Sequence, residues 1–127
     1  MTHQMIVATH GQFGKYLLES AAMIIGEMEG VKYVGLQEAM TPEDLMGQFK
    51  EHLDNFAGKT LILADLFGGT PFNTSAYTMK NYDVQIITGV NLPILMELYQ
   101  AFVVEKRTDL EEVVEMARES IRYIKEI

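Results

Sequence analysis

The sequence contains no cysteine, so a disulfide framework, a thiolate nucleophile and a cysteine-ligated metal site are all absent, and a cytoplasmic location is the plain expectation. Basic residues are scarce: 10 Lys and Arg stand against 18 Asp and Glu, a formal net charge of −8. A protein that neutralises nucleic-acid phosphates needs the opposite balance, which argues against nucleic acid as a partner. Long apolar runs are missing too. The longest have about five residues, where a membrane span needs roughly 18, and no basic segment with a long apolar stretch opens the chain. Repeats, low-complexity segments and linkers are likewise lacking, so the 127 residues read as one domain, 1–127.

What is present alternates. Met5 to Thr9, Val31 to Leu36, Thr60 to Ala64 and Val84 to Thr88 are apolar or β-branched runs of strand length. "MIVAT", "TLILA" and "VQIIT" are almost continuously apolar, which suits parallel strands covered on both faces. Between them, Phe13, Leu17, Ala21, Ile24 and Met28 recur at helical spacing and predict a buried stripe. "TPED" marks a helix start with Thr41 as cap, Pro42 at the first position and Asp44 three residues after the cap, ahead of Leu45, Phe49, Leu53 and Phe56. A third helix is expected from "GGTPFN" to about Lys80. A fourth, from Asn91 and Pro93, carries Ile94, Leu95, Leu98 and Phe102, and a fifth opens on a capping box of Thr108 and Glu111. The tail "IRYIKEI" fits neither a helix extension nor a strand cleanly. The whole predicts a doubly wound α/β fold with a mainly parallel sheet and helices on both faces.

In such sheets a site forms beyond the carboxyl ends of the strands, where successive connections diverge. The loops concerned read "THGQFG", "DLFGGTPFN" and "GVNLP", and they hold His10, Asp65, the paired glycines, Thr70 and Asn91. With strand order 2-1-3-4, His10 and Asp65 leave adjacent strand tips. A carboxylate that accepts the proton on one imidazole nitrogen fixes the tautomer and leaves a lone pair on the other. Gly69 and Thr70 open the following helix, where free N–H groups and the helix dipole favour an anion. A histidine nucleophile beside an anion cradle points to phosphoryl transfer. The motif loops hold no Lys or Arg, no phosphate-binding GxxxxGK[ST] and no acidic cluster for Mg²⁺, so the expected phosphoryl donor is another protein, with no cofactor and no metal.

Taken singly, each residue has an ordinary reading: His10 as a structural strand end, Asp65 as a loop cap, the glycines as a tight turn. Jointly they favour the functional one. His3, in an N-terminus expected to fray, and His52, one position off a buried helical stripe, are left without a ligand role. Met23, Met28, Phe67 and Phe72 are candidates for an adaptable apolar ring around the site.

"VATHGQFG", "ADLFGGTPFNTSA" and "ITGVNLPILME" resemble the motif blocks of the mannose-family IIA components of the bacterial sugar phosphotransferase system, in order and spacing from Met5 through the last helix. The resemblance implies a phosphocarrier that takes a phosphoryl group from the histidine phosphocarrier protein and hands it to a IIB domain. Sugar is then phosphorylated during uptake through membrane IIC and IID subunits. His10 falls on the family's phosphorylated histidine, Asp65 on the aspartate that orients it, and Thr70 on a small hydroxyl residue at the phosphoryl site, beside Gly69. It also implies a four-stranded parallel sheet in a homodimer, with a C-terminal antiparallel edge strand exchanged between subunits, a role that falls here to the tail from Ile121. The chain stops at Ile127 without the linker and fused IIB domain of some relatives, so a free-standing IIA is expected. Two other outcomes stay open: a regulatory binding module, and the IIA-like subunit of a phosphotransferase-dependent dihydroxyacetone kinase.

Overall fold

The computed structural model describes residues 2–127. Strands β1 (His3–His10), β2 (Val31–Leu36), β3 (Lys59–Ala64) and β4 (Val84–Thr88) alternate with helices α1 (Phe13–Ile25), α2 (Pro42–Leu53), α3 (Gly69–Thr78) and α4 (Leu92–Leu98). α4 continues as a π-helical segment, Tyr99–Val104, and α5 (Glu111–Arg118) follows. The sheet is parallel throughout, in the order β2-β1-β3-β4.

Alternation along the strands divides the core in two, because successive side chains point to opposite faces. Met5, Val7, Leu61 and Leu63 meet Leu17 and Ala21 of α1, Leu95 and Leu98 of α4, and Val113 and Ala117 of α5. Ile6, Ala8 and Ile62 face the other way, onto Leu45, Phe49 and Leu53 of α2. Met5, Ile6, Val7 and Ala8 are all fully buried, as a central strand covered on both sides requires. The connection after β1 runs through α1 on one face, whereas those after β2 and β3 run through α2 and α3 on the other. The tips of β1 and β3 therefore flank the point where the chain changes sides, which is where such sheets hold their ligands.

The capping box expected for α2 is formed: the Asp44 N–H donates to Thr41 Oγ1 at 3.1 Å and the Thr41 N–H donates to Asp44 Oδ2 at 3.0 Å. A cap of this kind contributes about 1 kcal/mol. The box expected at Thr108 and Glu111 does not form. α5 starts at Glu111 with Leu110 as its uncapped N-cap, because the Thr108 carbonyl accepts a hydrogen bond from Gln85 Nε2 on β4 at 3.1 Å and the segment is drawn to the sheet edge. The α1 stripe is also rotated from its expected position. Gly14, Leu17 and Ala21 are buried, while Phe13 and Ile24 are exposed. A Cβ on Gly14 would lie 3.0 Å from Val7 Cγ1, so glycine lets the helix backbone settle onto β1 and turns Phe13 outward.

The N-terminal strand begins at His3, which is paired with Lys59 rather than frayed. Its ring is buried and meets Phe102 edge-on, centroids 4.9 Å apart. Burial, then repulsion from Lys106 and Lys59, lowers its pKa from the usual histidine value, with Asp83 opposing. The neutral ring is the form the fold accommodates. After α5 the tail takes up neither helix nor strand, and Ile121, Tyr123, Ile124 and Ile127 are exposed. No helix among the described residues is long and apolar enough to cross a membrane.

Candidate active site

His10 is the last residue of β1, and Asp65 is the first residue after β3. Since these strands are neighbours, 55 residues of sequence separation closes to a single contact: His10 Nδ1 lies 2.9 Å from Asp65 Oδ2. The same oxygen accepts the backbone N–H of His10 at 2.9 Å, and Asp65 Oδ1 accepts the N–H of Leu66 at 3.0 Å. The carboxylate therefore has a fixed orientation before it meets the ring. Its side chain is 12% exposed and that of His10 is 47% exposed, so the orienting group is sheltered and the oriented group is open. A carboxylate can only accept, which places the neutral ring's proton on Nδ1 and leaves Nε2 with its lone pair.

Nε2 faces the glycine turn that opens α3. Gly68 and Gly69 both have left-handed backbone, φ +97 and φ +79, a conformation that glycine adopts without a Cβ clash. At Gly69 the approach is also close: an added Cβ would sit 3.2 Å from His10 Cε1 and 3.4 Å from Nε2. α3 begins at Gly69 with Gly68 as N-cap, and no side chain caps it. The first N–H groups of a helix have no acceptor within the helix, so the end of α3 beside the imidazole offers unpaired donors and the positive end of the dipole. Thr70 belongs to this first turn, two residues past the cap at Gly68.

The surroundings are apolar. Phe67 is exposed and leans on Phe72, ring centroids 4.9 Å apart, with Leu66 and Phe13 also exposed nearby in sequence. A groove of about 500 Å³ runs beside Thr70, lined also by Pro42, Glu43, Met46, Asn73 and Tyr77. Of the residues expected to ring the site, Phe67 and Phe72 pack on each other in and after the loop that follows β3, whereas the two methionines lie elsewhere. Met23 lies near the end of α1 remote from His10, and Met28 packs in the core beyond that end. Asn91 accepts the Ile94 N–H through Oδ1 at 3.0 Å and serves as the cap of α4. Among the described residues no three His, Asp or Glu side chains are grouped to hold a metal ion.

Two residues that strand and helix patterning does not single out act on the turn after His10. The Tyr33 hydroxyl on β2 donates to the Gly11 carbonyl, and Gln37 Nε2 donates to that hydroxyl at 3.3 Å.

A doubly wound α/β sheet that carries an aspartate-oriented histidine at its switch point, beside a glycine-opened helix N-terminus, is the architecture of a IIA component. Over residues 4–118 the chain matches the family described as PTS system fructose IIA component (EIIA-man), and it belongs to that family. It is 33% identical over 96 residues to the PTS system fructose-specific EIIA component of Bacillus subtilis, covering 73% of this chain and 66% of the relative. It is 32% identical over 105 residues to the PTS system mannose-specific EIIAB component of Escherichia coli, covering 80% of this chain but only 32% of that longer protein. Among solved structures, the phosphotransferase system component EIIA from Streptococcus agalactiae superposes with a TM-score of 0.87 at 28% identity, covering 96% of this chain and 97% of that one.

Proposed function

We propose that residues 1–127 act as one IIA phosphocarrier domain, with His10 as the group that carries the phosphoryl. The observation that carries this reading is the fixed imidazole, Nδ1 on Asp65 at 2.9 Å and Nε2 beside Gly69. In the forward step the Nε2 lone pair attacks the phosphorus of a phosphohistidine on the histidine phosphocarrier protein. The new N–P bond forms as the donor's N–P bond breaks, and the donor imidazole leaves with that electron pair. The Nδ1 proton stays shared with Asp65, whose charge stabilises the positive charge that develops on the ring. The free N–H groups of Gly69 and Thr70 and the Thr70 hydroxyl receive the equatorial phosphoryl oxygens. Release to a IIB domain is the same step reversed onto a new acceptor. Because a nitrogen–phosphorus bond is exchanged for another of its kind, both directions are accessible. Such a cycle would run in the cytoplasm, with membrane IIC and IID subunits reached only through IIB.

The test is incubation with phosphoenolpyruvate, enzyme I and the phosphocarrier protein, followed by mapping of an acid-labile, alkali-stable phosphate. The expected result is phosphate on the His10 peptide. Attachment elsewhere, or none with a competent donor, overturns the reading.

We further infer a homodimer. Among the described residues the outer edge of β4 carries no strand, and beside it Gln85, Ile87 and Leu110 line a groove of about 510 Å³. The tail beyond α5 holds four exposed apolar or aromatic residues, Ile121, Tyr123, Ile124 and Ile127. An exposed edge and an exposed apolar segment satisfy each other when copies exchange tails. Removal of residues 121–127 is expected to convert a dimer to a monomer in sedimentation equilibrium, and an unchanged mass would rule the exchange out.

A further inference from the structure

β1 ends at His10, opposite Leu36 of β2, and the chain leaves through Gly11 with φ +55. A left-handed glycine is a soft joint, since both signs of φ are open to it. Two bonds fix this one. The Gly11 N–H donates to the Leu36 carbonyl at 2.8 Å, and the Gly11 carbonyl accepts the Tyr33 hydroxyl. To reach it, the Tyr33 ring lies along β2 over the next residue on the same face, Gly35, where a Cβ would collide with the hydroxyl. Gln37 Nε2 donates to the Tyr33 oxygen at 3.3 Å, which directs the hydroxyl's own proton to Gly11. On the other side of His10, its N–H is held by Asp65 at 2.9 Å.

We propose that Tyr33 is a positioning residue for His10: it locks the turn after the histidine through the Gly11 carbonyl, with Gln37 aiming its hydroxyl. The peptide before the His10 Cα is held by Asp65 and the one after it by the Gly11 N–H bond to Leu36, while Tyr33 fixes the next peptide, Gly11–Gln12, and so stops the turn from rotating at Gly11. Tyr33 touches neither the ring nor the phosphoryl site, so it acts only through the backbone. This inference rests on the reading of His10 as the phosphoryl acceptor. In-line transfer between two nitrogens is sensitive to aim, and a misplacement of about 1 Å can cost 10²-fold.

The test compares Tyr33→Phe, Gln37→Ala and the double variant with the parent, in single-turnover transfer from the phosphorylated donor protein. Tyr33→Phe is expected to lower the saturating rate about tenfold while the half-saturating donor concentration stays within about twofold, since docking is untouched. Gln37→Ala, at an exposed position, gives a smaller loss, and the double variant matches Tyr33→Phe because Gln37 works through Tyr33. A second readout needs no donor: hydrogen exchange at the Gly11 and Gln12 amides of the unphosphorylated protein should be faster in Tyr33→Phe than in the parent, as the turn after His10 loosens. A parent-like saturating rate in Tyr33→Phe, a loss confined to half-saturation, or a double variant that loses the product of the two singles overturns the inference. If the parent itself accepts no phosphoryl group, it is the reading of His10 that fails. The exchange comparison then decides separately whether Tyr33 holds the turn after His10, and unchanged amide exchange overturns that too.

Discussion

Replacement of Asp65 by asparagine is expected to slow phosphoryl transfer to His10 by about 10²–10⁴-fold, the scale on which an orienting or acid–base partner is lost, while the fold survives. The reason lies in the three bonds that the carboxylate accepts. Oδ2 takes both the N–H and the Nδ1 proton of His10, and Oδ1 takes the N–H of Leu66. An amide has one oxygen for three donors. If that oxygen faces His10, the NH₂ group confronts the Leu66 N–H. If it faces Leu66, the NH₂ group confronts the His10 N–H and can satisfy the ring only by donating to Nδ1, which moves the imidazole proton to Nε2 and removes the nucleophilic lone pair. Neither orientation restores the charge that stabilises the ring as the N–P bond forms. The measurement is single-turnover transfer from phosphorylated donor protein, alongside the thermal unfolding midpoint. A variant that folds and transfers at the parent rate would show that Asp65 does not orient His10.

How far this arrangement could be read in advance depends on where its information lies. β1, β3 and their neighbours were legible because central parallel strands are apolar in succession, and adjacency of their tips followed from the strand order. His10 and Asp65 came with that inference, since both sit one step from an apolar run. Tyr33 did not. In "VKYVGL" it reads as one more alternating residue of an edge strand, and its contact with Gly11 exists only once β2 lies beside β1 and Gly35 opens a path for the ring. Gly14 misled the α1 stripe for a related reason: hydropathy gives glycine no weight, yet its missing side chain decides which face of α1 touches the sheet. At α5 the pattern Thr108 to Glu111 is a sound local capping signal, overruled by the bond from Gln85 to the Thr108 carbonyl. In His3, a polar residue near a chain end suggested fraying, but pairing with Lys59 and edge-on packing against Phe102 supply partners that no local window contains.

Gly69 offers a sharper test of the site than its ordinary appearance in the sequence suggests. Gly69→Ala is expected to reduce transfer by about 10²-fold, as for other small misplacements of a reacting group. Two effects combine there. The left-handed backbone, φ +79, costs an L-residue roughly 1–2 kcal/mol. The new methyl also lies 3.2 Å from His10 Cε1 and 3.4 Å from Nε2, against the atom that must receive the phosphorus. Gly26→Ala separates them. Gly26 has a similarly positive φ, +83, and nothing within 4 Å of an added Cβ, so it carries a left-handed strain without the contact. Both variants should lose comparable stability in chemical denaturation, and only Gly69→Ala should lose transfer. Equal transfer losses in the two would assign the effect to strain alone. Parent-like transfer in Gly69→Ala would mean that the phosphoryl group does not approach His10 past the α3 turn, and the cradle proposed for Gly69 and Thr70 would have to be placed elsewhere.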